Sequence, residues 1–131
     1  MNDHELMKLA ESMLSKAYVP YSKFPVGAAI LCENGTVYTG CNIENAAYGP
    51  TICAERAALC RAICDGNHKI EKVAVISKAD DYCYPCGVCR QTLYEFNPQM
   101  KIISGRGDGE IKIHTLSELL PYAFGPETLS I

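Results

Sequence analysis

The sequence predicts an α/β fold, a three-layer α/β/α sandwich around a mixed five-stranded sheet. Three observations predict it. Helical and extended patterns alternate in the order α-β-β-α-β-α-β-β-α, and a sheet covered by helices accommodates that order. The stretch KVAVISKA is continuously apolar, as strands buried on both faces tend to be. Asn34-Gly35, between two extended stretches, is a strong hairpin signal and adds antiparallel neighbours to the sheet. At 131 residues with 48% hydrophobic content, the chain suits one domain spanning 1–131, since two would each be short of core.

Each element has a local reason. From about Asp3 to Ala17 the residues Leu6, Leu9, Ala10, Met13 and Leu14 recur on one helical stripe. Pro20 and Pro25 then hold an irregular segment, VPYSKFP. VGAAILCE and TVYTGCNIE read as the two strands of the hairpin. After the loop NAAYGPTI, a helix runs from about Cys53 to Asp65 and stops at Gly66. KVAVISKA follows, then a helix RQTLYEF that ends before Pro98. MKIISG and EIKIHT are two further strands around GRGDG, and LSELLP and the tail YAFGPETLSI complete the chain.

Charge and hydropathy narrow the function. The net charge is −3 and the basic residues are scattered, whereas a nucleic-acid surface needs clustered Lys and Arg. No basic amphipathic stretch suggests a membrane face, and no apolar run nears the roughly 20 residues that span a bilayer. The N-terminus is an amphipathic helix charged throughout, unlike a signal peptide. The expected setting is the cytoplasm, where eight cysteines are metal ligands, nucleophiles or small core residues rather than a disulfide framework.

CYPCGVCRQT places Cys83, Cys86 and Cys89 at intervals of three. An iron–sulfur run would need Cys-Pro further on, where Leu93-Tyr94 stands. Cys86-Gly87-Val88-Cys89 opening a helix also fits a redox dithiol, because the positive helix end lowers a thiol pKa. The same placement prepares thiolates for a metal. TICAERAAL supplies Cys53 and Glu55, and P-C-x-x-C follows 33 positions later (86 − 53). Two helix starts aimed at one point bring three thiolates together, a donor set that suits zinc and leaves a fourth position for water. Zinc lowers the pKa of that water, and a carboxylate beside it moves protons to the leaving group. Residues i and i+2 share no face in mid-helix, so Cys53 must stand at the very start of its helix for Glu55 to reach the same cavity. A closed structural zinc site, with Cys83 as fourth ligand, is the competing reading.

The pattern C-x-E…P-C-x-x-C is the all-cysteine variant of the signature of zinc nucleobase deaminases, H-x-E…P-C-x-x-C. KFPVGAAI, GCNIENAAYGPTICAERAAL, PCGVCRQ and ELLPYAFGPETL resemble, in order and over nearly the whole chain, the small homotetrameric cytidine deaminases. The resemblance implies a cytidine deaminase-like fold and one zinc ion per chain on Cys53, Cys86 and Cys89. It implies Glu55 as the proton carrier between water and the pyrimidine N3, in hydrolysis of cytidine and 2′-deoxycytidine to the uridine forms with release of ammonia, a step of pyrimidine salvage.

Arg56 resembles the residue that hydrogen-bonds the ligand sulfurs and offsets the net −1 of three thiolates on a dication. Asn42 and Glu44 resemble the pair that holds the ribose 3′-hydroxyl. Two residues apart at a strand end, they project to one side. Phe24 resembles the ring stacked on the base, and Ala54 the backbone contact to the pyrimidine. Tyr48 and Phe124 resemble residues that reach a neighbouring subunit's site in a homotetramer. A nucleoside is the expected partner, and a modified cytosine nucleoside, as in the blasticidin type, the nearest alternative. Cys32, Cys41, Cys60, Cys64 and Cys83 are expected not to be ligands. Cys60 and Cys64, at i and i+4, read as small core residues. His4, His68 and His114 lie outside ligand spacing and read as surface or satisfied groups.

Overall fold

A computed structural model describes residues 1–129; the last two residues of the tail lie outside the described part. The elements are α1 (Asp3–Glu11), β1 (Val26–Cys32), β2 (Val37–Cys41), α2 (Ala54–Cys64), β3 (Ile70–Ser77), α3 (Gly87–Tyr94), β4 (Lys101–Gly105), β5 (Ile111–Thr115) and α4 (Leu116–Leu119), with 3₁₀ turns at Leu14–Lys16 and Pro126–Leu129. The sheet order is β2-β1-β3-β4-β5. Only β3 and β4 run parallel; the other neighbours are antiparallel, so the sheet is mixed as expected. The hairpin turns where Asn34-Gly35 predicts it, with Gly35 at φ +89°, a left-handed conformation that glycine adopts without a Cβ penalty.

Alternation along the strands sorts side chains to two cores. On one face Ile30, Cys32, Val73 and Ile102 pack with Ala58, Leu59 and Ala62 of α2, Leu93 of α3 and Leu116 of α4. On the other Ala29, Leu31, Ala74, Ile76 and Ile103 meet Leu6, Met7 and Ala10 of α1, with Leu14 of the following 3₁₀ turn packed alongside. The three layers are therefore unequal.

The first helix ends at Glu11, short of the Ala17 that its apolar stripe suggests. The chain tightens there: the Ser12 hydroxyl donates to the Leu9 carbonyl at 2.6 Å and the Met13 N–H to the Ala10 carbonyl at 3.1 Å, an i−3 bond of 3₁₀ type. Gly40 on β2 is needed for close approach on the opposite face. A Cβ there would stand 2.5 Å from the Ala58 nitrogen and 2.6 Å from the Ala54 carbonyl oxygen, so only glycine lets β2 lie against the first turns of α2.

Candidate metal centre and substrate cleft

Cys53 is the N-cap of α2 and Cys86 the N-cap of α3, both with extended backbone, and Cys89 lies in the first turn of α3. Neither cap side chain bonds to its own helix, so both sulfurs are free to turn toward each other. Cys53 Sγ and Cys86 Sγ are 3.7 Å apart, and the three sulfurs of Cys53, Cys86 and Cys89 lie within 4.8 Å of one another. Among the described residues this is the only group of metal-ligating side chains so gathered. Three soft donors at two helix N-termini, where positive dipole ends favour thiolates, suit zinc.

The surrounding charges act on this cluster. The neighbouring Cys89 thiol first, and then the Arg56 guanidinium, hold the Cys53 thiol down to about 5 against the opposing effect of burial. Arg56 donates to Cys53 Sγ at 3.4 Å, while its Nε is buried without a partner among the described residues. Glu55, only 3% exposed, is pushed up to about 7, chiefly by burial and further by the Cys53 charge. A carboxyl poised near neutrality can both take up and give back a proton.

Beside the sulfurs opens a cavity of about 180 Å³ lined by Phe24, Asn42, Ala54, Glu55, Cys83 and Tyr84, together with Val26, Cys53 and Cys86. The Asn42 side chain staples the cleft: its Nδ2 donates to the Phe24 carbonyl and its Oδ1 accepts from the Val26 N–H, both at 2.9 Å. Glu44 lines a second cavity of about 420 Å³ with Tyr21, Ser22, Asn45, Tyr48 and Thr51. Its carboxylate accepts from the Tyr21 and Ser22 N–H groups at 3.1 Å each, and the bonds from Ser22 lower its pKa. Asn42 and Glu44 are thus divided between the two cavities. Tyr48 is 73% exposed with φ +63°, and Phe124, whose carbonyl accepts from Gln91 Nε2 at 2.9 Å, lines neither cavity.

Residues 1–105 match the family described as the cytidine and deoxycytidylate deaminase zinc-binding region. The chain belongs to this deaminase family. It is 46% identical to a cytidine deaminase of Sporosarcina psychrophila, over 99% of this chain and 96% of the relative, and 44% identical to one of Halalkalibacterium halodurans, over 99% of each. A crystal structure of cytidine deaminase from Burkholderia pseudomallei superposes with a TM-score of 0.91 at 38% identity, over 95% of this chain and all of that one. The Mycobacterium tuberculosis cytidine deaminase gives 0.84 at 38%, over 95% and 98%. The expected fold class and the zinc cofactor stand with these findings, and the sulfur cluster is the place in this deaminase where such an ion fits.

Two readings from sequence need correction. Cys60 and Cys64 are exposed rather than core residues. Every third or fourth position of α2 is apolar on more than one side, and the sheet takes Ala54, Ala58, Leu59 and Ala62, which turns the two thiols outward. His114 is not a satisfied group: its Nδ1 is buried with no partner among the described residues, and its ring lies edge-on to Tyr84 at 6.1 Å.

Cys83 lines the cavity but stands outside the sulfur cluster, and burial pushes its thiol up to about 12. The closed four-cysteine site finds no support in that arrangement. Two residues escape a reading of motifs. Arg90 donates to the Pro85 carbonyl at 2.7 Å and to the Leu119 carbonyl at 2.8 Å, fixing the approach to Cys86. Tyr84, two residues before Cys86, brings a ring to the cavity.

Proposed function

We propose that this chain, a single domain, catalyses hydrolytic deamination of cytidine and 2′-deoxycytidine to uridine and 2′-deoxyuridine with release of ammonia, as a step of pyrimidine salvage. The observation that carries this reading is the buried Glu55 beside three clustered sulfurs at the end of a cavity walled by Phe24. Cys53, Cys86 and Cys89 hold zinc, which when bound supplies a Lewis acid that activates water. The chain's own residues do the rest. Phe24 packs on the base, and the Ala54 backbone meets its polar edge. A cavity of about 180 Å³ falls below the roughly 300–1,000 Å³ of pockets that enclose drug-sized ligands, so it takes the base and leaves the sugar toward Asn42 and Glu44.

Glu55 accepts a proton from water as the oxygen joins C4, and delivers it to N3. It then carries the second proton to the exocyclic nitrogen, the C4–N bond breaks, and ammonia leaves as the C4 carbonyl forms. Burial suits Glu55 to this alternation, because a carboxyl near neutrality holds either state at little cost. Arg56 keeps Cys53 anionic.

The assembly we propose is a homotetramer in which Tyr48 and Phe124 complete a neighbour's site; both rings are more than half exposed in the single chain. Its setting is the cytoplasm, in keeping with eight free cysteines. No helix among the described residues is long and apolar enough to cross a membrane.

The decisive experiment follows ammonia release from cytidine, for the parent and for a zinc-loaded Glu55→Gln variant. Turnover by the parent and a loss of about 10²- to 10⁴-fold in the variant is the expected result. A zinc-loaded parent that leaves cytidine untouched overturns the substrate assignment. Light scattering tests the tetramer, and a monomer with full activity overturns it.

A further inference from the structure

We infer that Tyr84 is a specificity residue: its ring walls the C5 edge of the bound pyrimidine and sets how large a group that carbon can carry. The inference rests on the cytidine reading above. Phe24 and Tyr84 are the two aromatic residues lining the cavity beside the sulfur cluster, and Tyr84 keeps 40% of its surface exposed.

Two rings lie against Tyr84, and the residues on either side of it in sequence are anchored. The next residue, Pro85, is fully buried and tied through its carbonyl to Arg90. The preceding Cys83 N–H donates to the Gly105 carbonyl at 3.0 Å. His114 meets the Tyr84 ring edge-on at 6.1 Å, and Tyr82 lies tilted against it at 6.4 Å. Tyr82 is itself flanked by the Arg106 guanidinium at 4.7 Å and the Lys112 ammonium at 4.6 Å from its centroid. The aromatic contacts act on Tyr84 directly, and the two cations act on it only through Tyr82. A side chain so supported acts as a wall.

Which edge it walls follows from the chemistry. C4 must face the sulfur cluster, N3 must face Glu55, and N1, opposite C4 on the ring, carries the sugar toward Asn42. Phe24 takes a face of the base. The C5–C6 edge remains, and the lining not yet assigned is Val26, Cys83 and Tyr84, of which Tyr84 brings the largest side chain. Tyr84 moves no proton and is not among the clustered sulfur donors, so size selection there is separable from catalysis.

The test compares kcat/KM for cytidine and its 5-methyl, 5-bromo and 5-iodo derivatives in the parent, Tyr84→Ser and Tyr84→Phe, with calorimetric Kd values for the matching uridines, which need no turnover. In the parent, kcat/KM should fall as the substituent grows. Tyr84→Ser should raise the iodo-to-parent-base ratio about 10-fold or more, the scale on which a pocket discriminates a methylene. Tyr84→Phe should leave the ratio within about twofold, because ring bulk and not the hydroxyl selects. An unchanged ratio in Tyr84→Ser, or an equal loss for all four substrates, overturns the inference. If Tyr84→Ser fails to fold, Tyr84→Leu, which keeps apolar contact with His114, replaces it under the same criteria. A parent that neither deaminates cytidine nor binds uridine defeats the cytidine reading itself. A parent that does both while the ratios stand still defeats only the role of Tyr84.

Discussion

At the start of α1, Asn2 occupies the N-cap and its side chain accepts from the Glu5 N–H at 2.8 Å. At the starts of α2 and α3 the caps are Cys53 and Cys86, and neither side chain makes such a bond. A missing polar cap costs a helix about 1 kcal/mol. The two α2 and α3 termini forgo it, and with it the sulfurs stay free for one another and for a metal. The same contrast divides the faces of the sheet. The α1 face holds apolar packing and an ion-paired Asp3, while the other carries a buried Glu55 in the first turn of α2. Where this protein is built for stability its helix ends satisfy themselves; where it is built for chemistry they are left unsatisfied and held by packing.

The sharpest way to break that contrast is Cys53→Ser. Serine is a better N-cap than cysteine, so the metal-free variant should be as stable as the metal-free parent or slightly more so. Yet its zinc content and its deamination should collapse, and the rise in Tm that zinc gives the parent should vanish. Metal analysis and melting with and without chelator check this. A variant that keeps zinc would remove Cys53 from the ligand set.

Leu6→Ala on the plain face should cost about 2–5 kcal/mol in denaturant unfolding, since Leu6 is fully buried. The turnover of its zinc-loaded folded form should be unchanged. Gly40→Ala, on the functional face, should cost less, about 1–3 kcal/mol, for a Cβ pressed on α2. It should nevertheless lower kcat, because α2's first turns carry Cys53 and Glu55 and cannot shift without misaligning them. Equal kcat in the two variants would erase the distinction between the faces. Asn2→Ala should cost about 1 kcal/mol and leave activity at ambient temperature intact.

The smallest effect lies in acid. Burial pulls the Asp3 carboxyl up, but Lys72 at 2.9 Å and Lys101 at 3.4 Å outweigh it and leave its pKa lowered. A depressed carboxyl stabilises the fold above its unfolded value, near 3.8, and that stability is lost as pH falls through the folded value. The Tm gap between the parent and Asp3→Asn should therefore be widest above about pH 5 and close as pH falls below the carboxyl's unfolded value. A gap independent of pH would show that the pair contributes by packing alone.

The element order and the placement of Cys53 at a helix start were legible because both are matters of local spacing. Glu55 two residues from Cys53 demands an N-terminus, and that is where Cys53 stands. The Asn34-Gly35 turn was legible for the same reason. Cys60 and Cys64 were misread because α2 is apolar around much of its circumference, so its pattern does not say which side meets the sheet. Nothing near Arg90 in sequence marks its role, since its partners, Pro85 and Leu119, meet it only in the folded chain. Tyr84 carries no signal beyond its nearness to Cys86.

Spacing along the chain thus singled out the residues proposed to carry the chemistry, three thiols and one carboxyl, and the family resemblance added one arginine. Only the tertiary structure decided that Asn42 and Glu44 line different cavities, that the Cys83 thiol borders the cleft without joining the sulfurs, and that the Tyr84 ring lines the cleft against His114. The reason is physical. A helix start or a turn is set by bonds within a few residues, whereas burial and the walls of a cavity are set by elements far apart in the chain that pack against one another.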